Sequence, residues 1–216
     1  MIKKLSKKAS LLSALVLTMA LFAGCSNEKE NQKVADIEVK TIATKELQDK
    51  LSDDSWVVVD TRINDAFNGW KLDEVERGGH IKGAVDFSAN WLTVDSKDKE
   101  KTLDKALETK GIEKDKNIVL YDANGKDAKE VANYLSEKGY KNLYTYNVAD
   151  WAKDESLPME SYENYEMIVP ATIVNDILDG KKPETFENSK NIKIVEASWG
   201  EESEAYSKGH VPTSVH

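Results

Sequence analysis

The chain has 216 residues, with 30 Lys and Arg against 39 Asp and Glu, a formal net charge of −9, and one cysteine, Cys25. A single cysteine excludes an intramolecular disulfide framework and a zinc site built from cysteine pairs, and a 32% charged fraction excludes a multispanning membrane protein. The acidic balance, without a basic stripe, argues against nucleic acid as a partner.

The N-terminal segment has the pattern of an export signal. Residues 11–22 form an uncharged apolar run that is too short to span a bilayer and follows four lysines, Lys3, Lys4, Lys7 and Lys8. The run ends in Ala23-Gly24-Cys25, which resembles the bacterial lipoprotein signal, where small residues precede a cysteine that is diacylated and becomes the new N-terminus. That family usually has Leu three positions before the cysteine, where this chain has Phe22. The alternative is an ordinary cleaved signal with a chance cysteine.

The lipoprotein resemblance implies that Cys25 is the lipid attachment site and that membrane lipid is a partner. Two or more acyl chains on one residue give stable attachment to a membrane. Removal of the signal peptide, residues 1–24, leaves 192 residues and shifts the formal net charge from −9 to −13. We therefore expect an extracytoplasmic body, lipid-anchored to the bacterial cell membrane through a flexible polar tether at residues 25–36.

Residues 37–153 alternate strands and helices in the manner of an α/β domain. Thr44 is expected to cap a short helix in which Leu47 and Leu51 share one face. Further strands are predicted at residues 56–60, 83–87, 117–122 and 142–146, and further helices at residues 98–110 and 126–138. This order predicts a parallel sheet covered on both faces, with a functional crevice beyond the carboxyl ends of its strands.

The last part of the chain changes in character. Residues 154–166 are acidic, contain Pro158 and show neither helical nor strand periodicity, so they are interpreted as an interdomain linker. After them, a helix is predicted at residues 170–179 and a strand at residues 191–197.

Two segments of the chain are similar to each other. The residues at 57–62 (VVVDTR), 65–67 (DAF) and 79–85 (GHIKGAV) are echoed by those at 194–198 (IVEAS), 204–206 (EAY) and 209–215 (GHVPTSV). Self-similarity of this kind indicates a duplicated unit.

The order of these pieces resembles the rhodanese (sulfurtransferase) family, through Asp-x-Arg after the first core strand and then Gly-His-Ile-x-Gly-Ala. The matching positions are Asp60, Arg62, Gly79, His80, Gly83 and Ala84. The resemblance implies a rhodanese-like three-layer α/β fold, with a central parallel sheet flanked by helices, at residues 37–153. It also implies the start of an incomplete second copy at residues 167–216.

The motif residues are expected to be structural. His80, between Gly79 and an aliphatic residue, is interpreted as a buried, hydrogen-bonded side chain rather than a catalytic one. Asp60 and Arg62 fit an ion pair or a loop anchor. In the family this Arg often pairs with a Glu next to the aromatic residue, and Asp65 is a shorter substitute for that Glu.

The resemblance also locates the expected nucleophile. In rhodaneses a Cys begins a six-residue loop after the strand that corresponds to residues 117–121, and the backbone N–H groups of that loop hold an anion such as thiosulfate. Here position one is Asp122, which cannot form a persulfide, and the loop consists of Asp122, Ala123, Asn124, Gly125, Lys126 and Asp127. Two interpretations stay open: a degenerate pocket facing a partner domain, or a loop that caps the following helix through Asp122 or Asn124.

The separation between His80 and Asp122, applied to His210, projects a second loop near position 252, beyond the given sequence. The leading hypothesis is the N-terminal portion of an anchored tandem sulfurtransferase acting on thiosulfate or another sulfane donor. The alternative is a catalytically inactive rhodanese-like binding or scaffold lipoprotein. A phosphatase relative is disfavoured because it also needs Cys at position 122. No cofactor and no metal site are expected.

Overall fold

A computed structural model describes residues 39–197 and 204–216. The predicted signal peptide, Cys25 and the predicted tether lie outside the described residues. The strands are β1 (Lys40–Thr41), β2 (Trp56–Asp60), β3 (His80–Ile81), β4 (Val85–Asp86), β5 (Asn117–Asp122), β6 (Leu143–Asn147) and β7 (Met159–Glu160).

The α-helices of the described residues are α1 (Thr44–Lys50), α2 (Asn64–Asn68), α3 (Lys99–Thr109), α4 (Lys126–Glu137), α5 (Val148–Ala152), α6 (Ala171–Leu178) and α7 (Glu204–Lys208). Short 3-10 helices occupy Ala89–Thr93, Tyr165–Met167 and Glu184–Phe186. No helix in the described part of the chain is both long and apolar enough to cross a membrane.

The main sheet has five parallel strands in the order β1-β6-β5-β2-β4. Its centre is formed by β2 and β5, whose sequences WVVVD and NIVLYD supply the continuous apolar run that a parallel strand buried on both faces requires. Val59 lies opposite Leu120 in this pair, and Asp122 lies opposite Asn147 in the pair of β5 with β6. The carboxyl ends of these strands therefore meet at one edge of the sheet.

Helices cover both faces of the sheet, and each face has its own apolar core. On one face the strands pack against α3 and α4 through Leu103, Leu107, Val131 and Leu135. On the other face they pack against α1 and α5 through Leu47, Val148, Trp151 and Ala152. This is the predicted three-layer α/β arrangement, and the prediction is confirmed for the complete sheet.

Most element boundaries agree with the prediction. Strands β2 and β5 have the predicted bounds, and helices α3, α4 and α6 differ from theirs by one residue at one or both ends. The predicted strand at residues 83–87 is shorter, because only Val85 and Asp86 pair with β2.

The predicted cap by Thr44 is wrong. Thr44 is the first residue of α1, Ala43 stands at the N-cap position, and no side chain caps the helix. The Thr44 hydroxyl lies instead 2.9 Å from the phenol oxygen of Tyr146 on β6. The Thr44 hydroxyl, which the local sequence predicts to cap the helix, therefore forms a tertiary hydrogen bond with Tyr146.

The segment 154–166, interpreted as a linker, contains β7, which pairs antiparallel with β3, with His80 opposite Glu160, and its Leu157 is buried. A further local prediction needs correction. The predicted strand at residues 191–197 is reduced to one parallel bridge between Val195 and Val215. Among residues 39–197 and 204–216, Val215 is the one β-pairing partner of this segment, and a single bridge does not make a strand.

Candidate functional site

The candidate site lies at the carboxyl edge of the sheet, where β5 ends at Asp122. The side chain of Asp122 is buried, with 1% of the residue exposed. Beside it is a cavity of about 230 Å³ lined by Thr41, Asp122, Asn124, Gly125, Thr145, Tyr146 and Asn147. This is the crevice position expected for a parallel α/β sheet.

The loop after β5 is organised by two side-chain oxygens of Asp122. Oδ1 accepts a hydrogen bond from the N–H of Gly125 at 2.6 Å, and Oδ2 accepts one from the N–H of Ala128 at 3.0 Å. Gly125 adopts a left-handed conformation with φ = +79°, which a residue without Cβ adopts at little cost, and α4 begins at the next residue. The carboxylate thus satisfies backbone donors in the loop and in the first turn of α4.

The other predicted loop residues have distinct positions. The Asn124 Oδ1 accepts from the N–H of Lys126 at 3.0 Å, and Ala123 packs partly buried against the core formed with α1 and α5. Burial and the negative charge of Asp122 raise the pKa of Asp127, with smaller contributions from Asp73 and Glu130, while Lys126 opposes the shift. The capping interaction of Asp122 and a small cavity lie side by side in this loop.

The described part of the chain brings no thiol to this loop. The one cysteine of the sequence, Cys25, lies outside the described residues. Within residues 39–197 and 204–216, no group of His, Cys, Asp or Glu side chains is arranged to hold a metal ion.

Asp60 and Arg62 form a buried bidentate ion pair next to the site. Arg62 Nε lies 3.0 Å from Asp60 Oδ1, Arg62 Nη2 lies 2.6 Å from Oδ2, and both residues are at most 1% exposed. Nη2 also donates to the carbonyl of Gly79 at 2.7 Å. Arg62 therefore pairs with Asp60 in this structure, and the suggested substitute partner Asp65 takes no part in the ion pair.

Tyr121 completes this group, and sequence analysis missed it. Its hydroxyl accepts a hydrogen bond from the N–H of Ile81 at 3.1 Å, and the Arg62 guanidinium lies 5.6 Å from its ring centroid. Burial, followed by the nearby charge of Asp60, raises the pKa of Tyr121 well above its usual value. A tyrosine within an apolar strand carries no spacing signal that distinguishes it from an ordinary core residue.

The Gly79–Ala84 motif ties the loop before β4 to its neighbours. His80 is buried and stacks on Phe67, with ring centroids 3.9 Å apart, while its Nδ1 lies 2.8 Å from the carbonyl oxygen of Phe67. Gly79 donates its N–H to Ala66 O at 3.1 Å, and Ala84 donates to Ile81 O at 2.9 Å. This geometry is that of a structural histidine packed on α2.

Arg77 is a second residue that sequence analysis missed. Its guanidinium donates hydrogen bonds to four main-chain carbonyls, those of Trp151, Ala152, Asp154 and Leu157, at 2.8–2.9 Å. These carbonyls belong to the end of α5 and to the residues that follow it. Arg77 therefore fixes the path of the chain as it leaves the α/β domain.

The parallel sheet, the motif loop and the Asp122 loop define a domain of the rhodanese type. A family model for the rhodanese-like domain matches residues 43–152, half of the chain, and the chain belongs to this family. It therefore contains a domain of a kind associated with sulfur transfer.

Solved structures of a sulfur-transfer enzyme support the family assignment. The chain is 30% identical to the wild-type EanB structure, with a TM-score of 0.70, and to the anaerobic ergothioneine biosynthesis enzyme from Chlorobium limicola bound to trimethyl histidine, also at 0.70. The structure of an EanB variant with ergothioneine covalently linked to a persulfide matches with a TM-score of 0.71, also at 30% sequence identity. In each case 82% of this chain is covered but only 40% of the other. The curated proteins contain no match.

Proposed function

We propose that the chain is the N-terminal portion of a membrane-anchored extracytoplasmic sulfurtransferase. The enzyme transfers sulfane sulfur from thiosulfate or a similar donor to a thiophilic acceptor, and residues 37–153 form its non-catalytic first domain. The observation that carries this proposal is the repeated geometry in residues 194–197 and 206–215, which supports a second rhodanese-like domain starting at about residue 167.

The histidine motif has the same local geometry in both segments. In the first segment, the rings of Phe67 and His80 stack with their centroids 3.9 Å apart and their planes at 7°, and His80 Nδ1 lies 2.8 Å from the carbonyl oxygen of Phe67. In the second segment, the rings of Tyr206 and His210 stack with their centroids 4.0 Å apart and their planes at 7°, and His210 Nδ1 lies 2.9 Å from the carbonyl oxygen of Tyr206. Two segments that are similar in sequence only by chance would not be expected to share this geometry of ring stacking and hydrogen bonding.

The strand pairing is repeated as well. Val59 of β2 lies opposite Val85 of β4, and the equivalent residues Val195 and Val215 form a parallel bridge. In the first domain, the other side of β2 pairs with β5, which leads into the loop at Asp122. Val195 is 65% exposed. We propose that a strand equivalent to β5, ending in a Cys-initiated loop, completes the second domain.

The first domain is proposed to be non-catalytic because Asp122 stands where the family places its nucleophile. The thiolate of a rhodanese attacks the outer sulfur of thiosulfate, the sulfur–sulfur bond of thiosulfate breaks, and sulfite departs with the electron pair. A carboxylate does not form the resulting persulfide. The catalytic cysteine is therefore assigned to the second domain.

The test of sulfur transfer uses the full-length gene product in detergent with thiosulfate and cyanide. Thiocyanate should form, and mass spectrometry should find one added sulfur atom on a cysteine of the second domain. Residues 1–216 expressed alone should give none. A full-length protein that forms neither thiocyanate nor a persulfide would overturn the proposal.

The anchor is proposed from the sequence of residues 1–25. Cys25→Ser should abolish labelling by radioactive palmitate and move the protein from the membrane pellet to the soluble fraction, whereas Ser26→Ala should change neither. Retention of the label in Cys25→Ser would contradict the assignment of Cys25.

A catalytically inactive binding or scaffold lipoprotein is the second candidate. The observation that favours it is the position of the Asp122 carboxylate, which already satisfies the backbone donors of the loop. It predicts a second domain that also lacks a nucleophile, and partner binding without turnover. The sulfur-transfer assay on the full-length protein separates the two candidates.

A further inference from the structure

The Asp122 carboxylate occupies the position that an external anion takes in a loop of backbone donors. Its two oxygens accept from separate N–H groups, Gly125 in the loop and Ala128 in the first turn of α4, at 2.6 and 3.0 Å. Successive N–H groups at the start of a helix create a positive potential that attracts an anion. Here that anion belongs to the chain itself.

Burial makes this contact more than a surface cap. Asp122 is 1% exposed, and the hydrogen bond to Ala128 is buried. A buried carboxylate is tolerated only when its charge is compensated, and the two N–H groups supply that compensation. Conversely, the two N–H groups would be left without a buried acceptor if the carboxylate were removed.

The surroundings do not favour a second anion. The negative charges of Asp122, Asp73 and Glu130 all act to raise the pKa of Asp127, and Lys126 is the cation that opposes them. An added dianion such as thiosulfate would compete with the carboxylate for the same N–H groups in a locally acidic environment.

We propose that Asp122 is a resident anion that closes the first-domain loop to oxyanion ligands. The loop has kept an anion-binding backbone, and its own side chain is the occupant. Residues 37–153 are therefore not merely short of a nucleophile; they also exclude a sulfur donor from this loop. The inference rests on the proposed position of Asp122 in the family, but not on sulfur transfer by the complete protein.

Chemical rescue tests this directly. In the full chain purified in detergent, Asp122→Ala should lower the melting temperature because the buried N–H of Ala128 and the partly buried N–H of Gly125 lose their acceptor. Sodium formate should then raise the melting temperature of the variant by about 2–4 °C more than sodium chloride of equal ionic strength. The wild-type protein, whose site is filled, should show no difference between the two salts.

Two matched variants make the result specific. Asp122→Asn keeps the shape of the side chain and fills the site, so formate should not rescue it. Asp127→Ala removes a neighbouring carboxylate that does not contact these N–H groups, and formate should not rescue it either. Equal responses of all four proteins to formate would overturn the proposal.

A second measurement covers the case in which Asp122→Ala does not fold. Thiosulfate titrated into the ¹⁵N-labelled wild-type chain should leave the amide resonances of Gly125 and Ala128 unchanged. A saturable shift of these two resonances would show that the loop binds the donor and would refute the proposal. Both tests are independent of thiocyanate formation, so their failure is distinguishable from failure of the proposed enzyme activity.

Discussion

At the scale of single residues, the Asp60–Arg62 pair shows what a buried ion pair needs around it. The bidentate contact compensates both charges, and Gly79 O takes a further guanidinium hydrogen bond. Tyr121 places its ring beside Arg62 and its hydroxyl on the backbone of β3. The ion pair, β5 and β3 are therefore held as one unit directly behind Asp122.

Replacement of Tyr121 by Phe tests this unit through its pH dependence. At pH 7 the variant should be less stable by about 1–3 kcal/mol, because the buried N–H of Ile81 loses its acceptor. Burial raises the pKa of Tyr121 in the folded state, so above pH 10 the unfolded chain ionises more readily and the wild-type protein loses stability. Phe does not ionise, and the stability gap should therefore narrow as the pH rises above 10.

Urea unfolding at pH 7, 9 and 10.5 measures that gap. Val119→Ala, a buried substitution in the same strand without an ionisable group, provides the control and should keep a constant difference from wild type. A Tyr121→Phe gap that is unchanged or wider at pH 10.5 would refute the role of Tyr121 ionisation.

At the scale of elements, the small sheet of β3 and β7 joins the motif loop to the segment that leaves the domain. Gly79 has φ = +86°, and a Cβ at this position would lie 2.2 Å from Glu160 O. Gly83 has a similar φ of +79°, but a Cβ there would meet nothing within 4 Å. The two motif glycines thus share a backbone conformation and differ in their surroundings.

This difference separates two Ala substitutions. Gly83→Ala should cost about 1–2 kcal/mol of unfolding free energy, the price of a left-handed conformation for a residue with Cβ. Gly79→Ala should cost at least about 3 kcal/mol, because it also forces β7 away from β3. Thermal and urea unfolding measure both values, and equal costs would show that the contact with Glu160 does not constrain the glycine.

The elements that sequence predicted best are those decided by burial alone. Strands β2 and β5 have continuous apolar runs, and helices α3 and α4 repeat their apolar residues every three or four positions. Sequence analysis missed β7, which pairs with the distant strand β3, and it predicted a full strand at residues 191–197 where the structure has one bridge to Val215. At the site, the sequence located Asp122, but its two backbone partners follow from the loop conformation.

At the scale of the whole molecule, the segment after α5 is held firmly on the α/β domain. Arg77 binds two carbonyls at the end of α5 and two in this segment, Tyr162 N–H donates to Asn68 O at 2.8 Å, and Trp70 Nε1 donates to Ile168 O at 3.0 Å. Tyr165 packs edge-on against Trp70, with centroids 5.4 Å apart. The predicted linker therefore constrains the start of the proposed second domain.

Arg77→Ala should release this segment without unfolding the sheet. The expected result is an increase of about tenfold in the rate of proteolysis between residues 154 and 166. Without the hydrogen bonds of the guanidinium, this segment detaches from the domain more often and is then open to the protease. Arg77→Lys should also be cleaved faster than the wild-type protein, since one ammonium group cannot donate to all four carbonyls as the planar guanidinium does. Lys82→Ala, which removes an exposed ion pair with Glu160, is the control and should be cleaved at the wild-type rate. Cleavage of Arg77→Ala at that same rate would contradict the clamp.

The two histidine motifs differ in the length of chain that they enclose. Thirteen positions separate Phe67 from His80, whereas four separate Tyr206 from His210. The longer stretch, between Phe67 and His80, contains both Trp70 and Arg77, the residues that bind the segment leaving the α/β domain. The shorter one has no room for their counterparts. Among the described residues, the contacts by which Trp70 and Arg77 hold the departing segment are therefore specific to the first of the two similar segments.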